Sequence, residues 1–170
     1  MSSDTIINKV QQSGLITIDL EDYYHAGEKV LFDIKDYLYE GIILKEKDFR
    51  TFLKDHNWEQ YVGKNVAITC SADAIIPTWA YMLVATKLKP IAHLTTFGTI
   101  KDLHAKIFSD AIGQINASDY TQSKVVIKGC GKLEVPVSAY VELTNKLLPV
   151  VSSIMYGEPC STVPVYKQLK

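Results

Sequence analysis

At 170 residues, with 47% hydrophobic content, the chain is long enough to bury a core without disulfides and too apolar to be disordered. A net charge of −1 and a single arginine, Arg50, argue against nucleic acid as a partner, because phosphate readers concentrate Lys and Arg. No apolar run nears the roughly 18 residues of a membrane span, and residues 1–12 lack the layout of a secretory signal, so no membrane partner and a cytoplasmic address are expected.

In chain order, residues 1–12 read as a flexible lead-in, and 15–20, following Ser13-Gly14, as a strand. The acidic, aromatic stretch 21–28 has no period and reads as a loop able to reach over a site. Residues 30–39 read as a strand closed by a turn at Glu40-Gly41. A helix is expected over 45–55, with Phe49, Phe52 and Leu53 on one face. Strand 66–70 ends at Cys70, and Pro77 suits the first turn of a helix that runs over 79–87 until Pro90 stops it. A strand over 92–97 and a helix over 100–115, capped by Thr99, come next, then a loop over 116–122. Strand 124–128 ends in Gly129-Cys130-Gly131. From Pro136 the apolar spacing predicts a long helix reaching Ile154, kinked or split at Pro149 and terminated by Tyr156-Gly157. Residues 158–170, with Pro159 and Pro164, form an extended tail.

Alternating strands and helices predict one α/β domain over residues 1–170. Its three-layer architecture holds a mainly parallel sheet, with strands near 66–70, 92–97 and 124–128 and the N-terminal strands added at an edge. Two of the strand–helix units repeat. Pro77, Ala80, Tyr81, Leu88 and Pro90 recur as Pro136, Ala139, Tyr140, Leu147 and Pro149, each 59 positions on, and Cys70 recurs as Cys130. Cys70, Gly98 and Cys130 then fall at the carboxyl ends of strands, where open α/β sheets bind ligands.

Three cysteines in a reducing compartment cannot form an intact disulfide framework. If the tail returns over the sheet, Cys70, Cys130 and Cys160 supply three thiolates for zinc or an iron–sulfur species, with Asp73, Glu158 or His25 as fourth ligand. A competing reading makes Cys70 or Cys130 a nucleophile or sulfur acceptor, its thiolate favoured by the following helix N-terminus, with His25 or Asp73 nearby. The other histidines, His56, His93 and His104, read as loop, strand and helix-surface residues. A third reading is a non-catalytic interaction module whose cysteines are structural. The turns at Cys70–Asp73 and Gly129–Gly131 suit an anion but match neither a phosphate loop nor a dinucleotide fingerprint, so turning the chain is their better reading. The cluster Asp19, Glu21, Asp22 reads as a solvated face.

The segments Gly14-Leu15-Ile16-Thr17-Ile18-Asp19-Leu20-Glu21-Asp22-Tyr23-Tyr24, Cys70-Ser71-Ala72-Asp73-Ala74-Ile75-Ile76-Pro77-Thr78-Trp79-Ala80-Tyr81, Lys128-Gly129-Cys130-Gly131 and Tyr156-Gly157-Glu158-Pro159-Cys160 carry a family resemblance. Together with 44–50, they resemble an uncharacterised family of Bacteroidota proteins catalogued as domain of unknown function 2480. The resemblance implies no activity, fold or ligand. It does imply a gene setting of iron–sulfur cluster assembly, and so iron–sulfur assembly proteins as candidate partners and an accessory role in cluster or sulfur handling.

Overall fold

The computed structural model describes residues 14–129 and 131–169; the expected lead-in at 1–12 and Cys130 lie outside the described residues. In chain order the strands are β1 (Leu15–Asp19), β2 (Lys29–Asp33), β3 (Asn65–Thr69), β4 (Leu94–Phe97), β5 (Lys124–Lys128), β6 (Ser153–Glu158) and β7 (Ser161–Lys167). The described helices are α1 (Glu46–Asp55), α2 (Thr78–Leu88), α3 (Ile100–Gln114) and α4 (Val137–Leu147).

Local chemistry sets these boundaries. Helix α1 buries Phe49 and Leu53 and braces its outer face with an Arg50–Glu46 pair at 2.8 Å. Pro77 and Pro136 stand at the N-caps of α2 and α4 in extended conformation, and Pro90 and Pro149 follow their C-caps. A reciprocal cap opens α3: Asp102 Oδ2 accepts from Thr99 N at 2.7 Å, while Thr99 Oγ1 accepts from Asp102 N at 3.3 Å. Gly98 makes that approach feasible, since its φ is +126° and a Cβ there would stand 2.6 Å from Asp102 Oδ2.

The α/β class and mainly parallel pairing hold as expected, and the strands divide between two sheets. One compact unit comprises the described residues up to Tyr24 and from Phe108 onward, and the other comprises His25–Ile107. The first holds a sheet in the order β1-β5-β6-β7, parallel except for β7, which runs antiparallel to β6. The second holds the all-parallel sheet β2-β3-β4. Each N-terminal strand does sit at a sheet edge, β1 in one unit and β2 in the other.

The repeat extends well beyond the cysteine segments. β3 and β5 pair in matching register with β4 and β6, Asn65 opposite Leu94 and Lys124 opposite Ser153. β2 and β1 correspond at a shift of 14, each ending in an aspartate that caps a 3-10 turn, Asp33 for Ile34–Tyr37 and Asp19 for Leu20–Tyr23. Asn57 and Asn116 cap the 3-10 turns Trp58–Tyr61 and Ala117–Tyr120 in the same way. The cores match position by position: Phe49, Leu53, Val66, Ile68, Val84 and Leu88 in one unit stand where Phe108, Ile112, Val125, Ile127, Leu143 and Leu147 stand in the other. The chain is thus a duplication in which the three-stranded copy is inserted between β1 and the rest of the four-stranded copy.

The long helix expected from Pro136 to Ile154 is corrected. It ends at Leu147, and Ser153–Glu158 is the strand β6. Pro149 cannot continue the helix ladder, and Ile154 enters the core from a parallel strand, as its counterpart β4 runs beside β3. The stretch read as a loop at 21–28 begins inside the 3-10 turn Leu20–Tyr23, the one at 116–122 contains the 3-10 turn Ala117–Tyr120, and the tail is extended, as β7.

Candidate functional site

At the carboxyl end of the three-stranded sheet, Asp33 organises the turn after β3. Its Oδ1 accepts from Lys35 N and Ser71 N, both at 3.0 Å, and its Oδ2 accepts from Ser71 Oγ at 2.6 Å. Burial raises the pKa of this carboxyl, and the Ser71 hydroxyl, the two backbone N–H groups and the Lys35 charge outweigh that and hold it below the ordinary value. Cys70 lies half-buried beside this staple, its thiol 4.0 Å from Ala72 O. The Tyr81 phenol is raised by burial and by the charges of Cys70 and Asp33.

The four-stranded unit repeats the plan with different side chains. Asp19 Oδ2 pairs with Lys128 Nζ at 2.9 Å, and Lys128 also lies 3.7 Å from Glu158 Oε1. Glu21, expected in a solvated cluster, accepts from the backbone N–H groups of Gly131, Lys132 (3.0 Å) and Leu133 (3.3 Å), fastening the bend over 131–133. A Cβ at Gly131 would stand 2.6 Å from Glu21 Oε1, so a side chain there would displace the Glu21 carboxylate.

The proposed metal ligands are distributed as follows. Cys70 follows a strand of one sheet, and Cys160 is exposed in the β6–β7 turn of the other unit; Cys130 is outside the described residues. The strands before Cys70 and Cys130 belong to separate sheets rather than one. Asp73 and Glu158 are exposed. His25 stacks on His93, centroids 3.5 Å apart, and its Nδ1 lies 3.3 Å from Gly27 N and 3.2 Å from Asn65 Nδ2. Among the described residues no group of three or more His, Cys, Asp or Glu is placed to hold a metal ion. His56, beyond the C-terminus of α1, is embedded among Phe32, Phe52, Trp58 and Tyr61, and burial lowers its pKa.

A feature that motif reading missed is a pair of equivalent grooves. In the three-stranded unit a groove of about 870 Å³ runs between β4 and α2, lined by Ile68, Tyr81, Met82, Ala85, Thr95 and Phe97, with Lys89 its sole charge. In the four-stranded unit the counterpart between β6 and α4 is lined by Ile127, Tyr140, Val141, Thr144, Ile154 and Tyr156, and shrinks to about 490 Å³ where β7 contributes Val165. Both grooves have an edge-on aromatic pair, Tyr81–Phe97 at 5.2 Å and Tyr140–Tyr156 at 5.6 Å. The difference is β7: nothing among the described residues pairs with the outer edge of β4. Phe97 is accordingly 67% exposed, against 40% for Tyr156. The signal was present in sequence as the repeat itself, extended past Pro90 and Pro149 into the two following strands.

The sequence profile of a protein family spans this duplication from end to end, matching residues 4–168. The chain belongs to the family described as protein of unknown function (DUF2480). Among curated proteins and among solved structures, nothing matches it. In this DUF2480 chain the duplicated grooves therefore have to be read from their own chemistry. They are apolar and carry exposed aromatic edges.

Proposed function

We propose that this DUF2480 chain is a non-catalytic interaction module that takes an extended strand along the outer edge of β4, the strand's side chains entering the groove beside α2. One observation carries the reading: the duplicate groove has such a strand, β7, supplied by the chain itself, whereas no described residues supply one at the groove beside β4. An edge strand offers unpaired backbone N–H and C=O groups for affinity and adjoining pockets for side-chain selection. Asp33 and Glu21 act as staples for the turns after β3 and β5, and Asp19 is engaged by the Glu21 N–H and Lys128.

The duplication supplies the probe. A synthetic peptide with the sequence of residues 159–168 should bind to the intact protein saturably and shift the backbone amide resonances of Thr95 and Phe97. Phe97→Asp, which places a carboxylate in the groove, should abolish the shifts. A peptide that leaves those amides unmoved overturns the reading. Elemental analysis of tag-free protein tests the thiolate alternative: stoichiometric zinc or iron that disappears in Cys70→Ser, Cys130→Ser or Cys160→Ser variants would replace the docking reading with the metal one.

A further inference from the structure

We infer that the strand taken at β4 is β4 of a second copy, so that two chains join their three-stranded sheets edge to edge across a two-fold axis. The inference names the partner of the docking edge proposed above and rests on that reading.

The two outer edges differ in how they are protected. β7, the corresponding edge of the four-stranded sheet, carries Pro164, a register irregularity opposite Ile154 and Met155, and Lys167, the devices that blunt an edge against pairing. β4 carries none: Leu94-Thr95-Thr96-Phe97 has no charge and no proline, and its register with β3 is regular. The opposite edges, β1 and β2, correspond to each other, and among the described residues neither has a strand added. The precedent for pairing therefore belongs to β4 alone.

Self-pairing follows from direction and shape. A two-fold axis normal to the sheet makes the added strand antiparallel, the sense in which β7 lies on β6. Gly98 N donates to Ile68 O at 3.0 Å, so alternation along the strand turns the N–H groups of Thr95 and Phe97 outward. Residues directly opposite in an antiparallel pair share a face, which centres the contact on Thr96. Thr95 of each copy then exchanges hydrogen bonds with Phe97 of the other. Phe97 and Thr95 occupy the groove face, so the exposed Phe97 ring of each copy meets the apolar wall of the other formed by Tyr81, Met82 and Ala85. Knob and groove belong to one surface, the condition for an isologous contact. A four-residue strand gives a small interface, so the dimer is concentration-dependent.

Sedimentation of the full chain tests this. From low to high micromolar concentration, the wild type should shift from 19.0 kDa toward twice that mass. Thr95→Pro, which removes an outward N–H and leaves the ladder to β3, and Phe97→Asp should both stay at the monomer mass with unchanged circular dichroism. A wild type that stays monomeric throughout, or a dimer that survives both variants, overturns the inference. A monomeric wild type that still binds the 159–168 peptide removes the self-pairing and leaves the docking edge, taken by another chain. Loss of both removes the two together.

Discussion

Phe108→Ala and Phe49→Ala are each expected to destabilise the protein by about 3–5 kcal/mol. The two rings are 1% exposed or less, and they stand at the same position of the two copies, 59 residues apart. Phe108 packs in a cluster with Ile18, Leu20, Ile127 and Leu143, with the Tyr24 ring at 5.1 Å; Phe49 packs with Phe32, Ile34, Ile68 and Val84, with the Tyr37 ring at 6.2 Å. Truncation removes the transfer free energy of the ring and leaves a void that neighbouring helix and strand backbones cannot collapse into. Urea unfolding at neutral pH measures the loss. Equal losses at 49 and 108 are the signature of a duplicated core. A loss below about 1 kcal/mol at either would mean that its unit is repacked around something other than this ring.

The helix and strand boundaries were largely legible because they depend on short-range signals. Pro77, Pro90, Pro136 and Pro149 bracket α2 and α4, and Thr99 with Asp102 starts α3. The long helix was misread because Ser153-Ile154-Met155-Tyr156 continues an apolar helical spacing that a buried parallel strand satisfies equally well. What separates the two is the partner strand, Lys124–Lys128, which is remote in sequence. For the same reason the single expected sheet became two. Local pattern predicts that 66–70 and 124–128 are strands of one kind; pairing with β2 or with β1 decides which sheet each enters. The roles of Asp33 and Glu21 were illegible because their partners lie 38 and 110 residues away. The repeat marks Cys70 and Cys130 in the sequence. Its continuation into β4 and β6, where one copy has an added strand and the other does not, holds the functional contrast.

Asp33→Ala should cost about 2 kcal/mol at neutral pH, and the cost should disappear in acid. The side chain is only 11% exposed, and its carboxylate holds two backbone N–H groups and the Ser71 hydroxyl, so removing it leaves three donors without their acceptor, two of them at Ser71 beside Cys70 and one at Lys35 in the 3-10 turn after β2. These donors stabilise the charged form, and the folded-state pKa lies below the ordinary value of 3.8. A carboxyl with a depressed folded pKa contributes stability that is fully present above its unfolded pKa and is lost as the pH falls through that value toward the folded one. The gap between wild type and Asp33→Ala in urea unfolding should therefore be constant at neutral pH and narrow as the pH falls below the ordinary carboxyl value of 3.8. Asp33→Asn should fall between them at neutral pH, because its amide oxygen can replace one acceptor while its NH2 group faces a donor. A gap that persists unchanged in acid would show that the side chain acts through packing rather than charge. The staple would then have to be sought in Ser71, whose hydroxyl makes the 2.6 Å contact with Asp33 Oδ2.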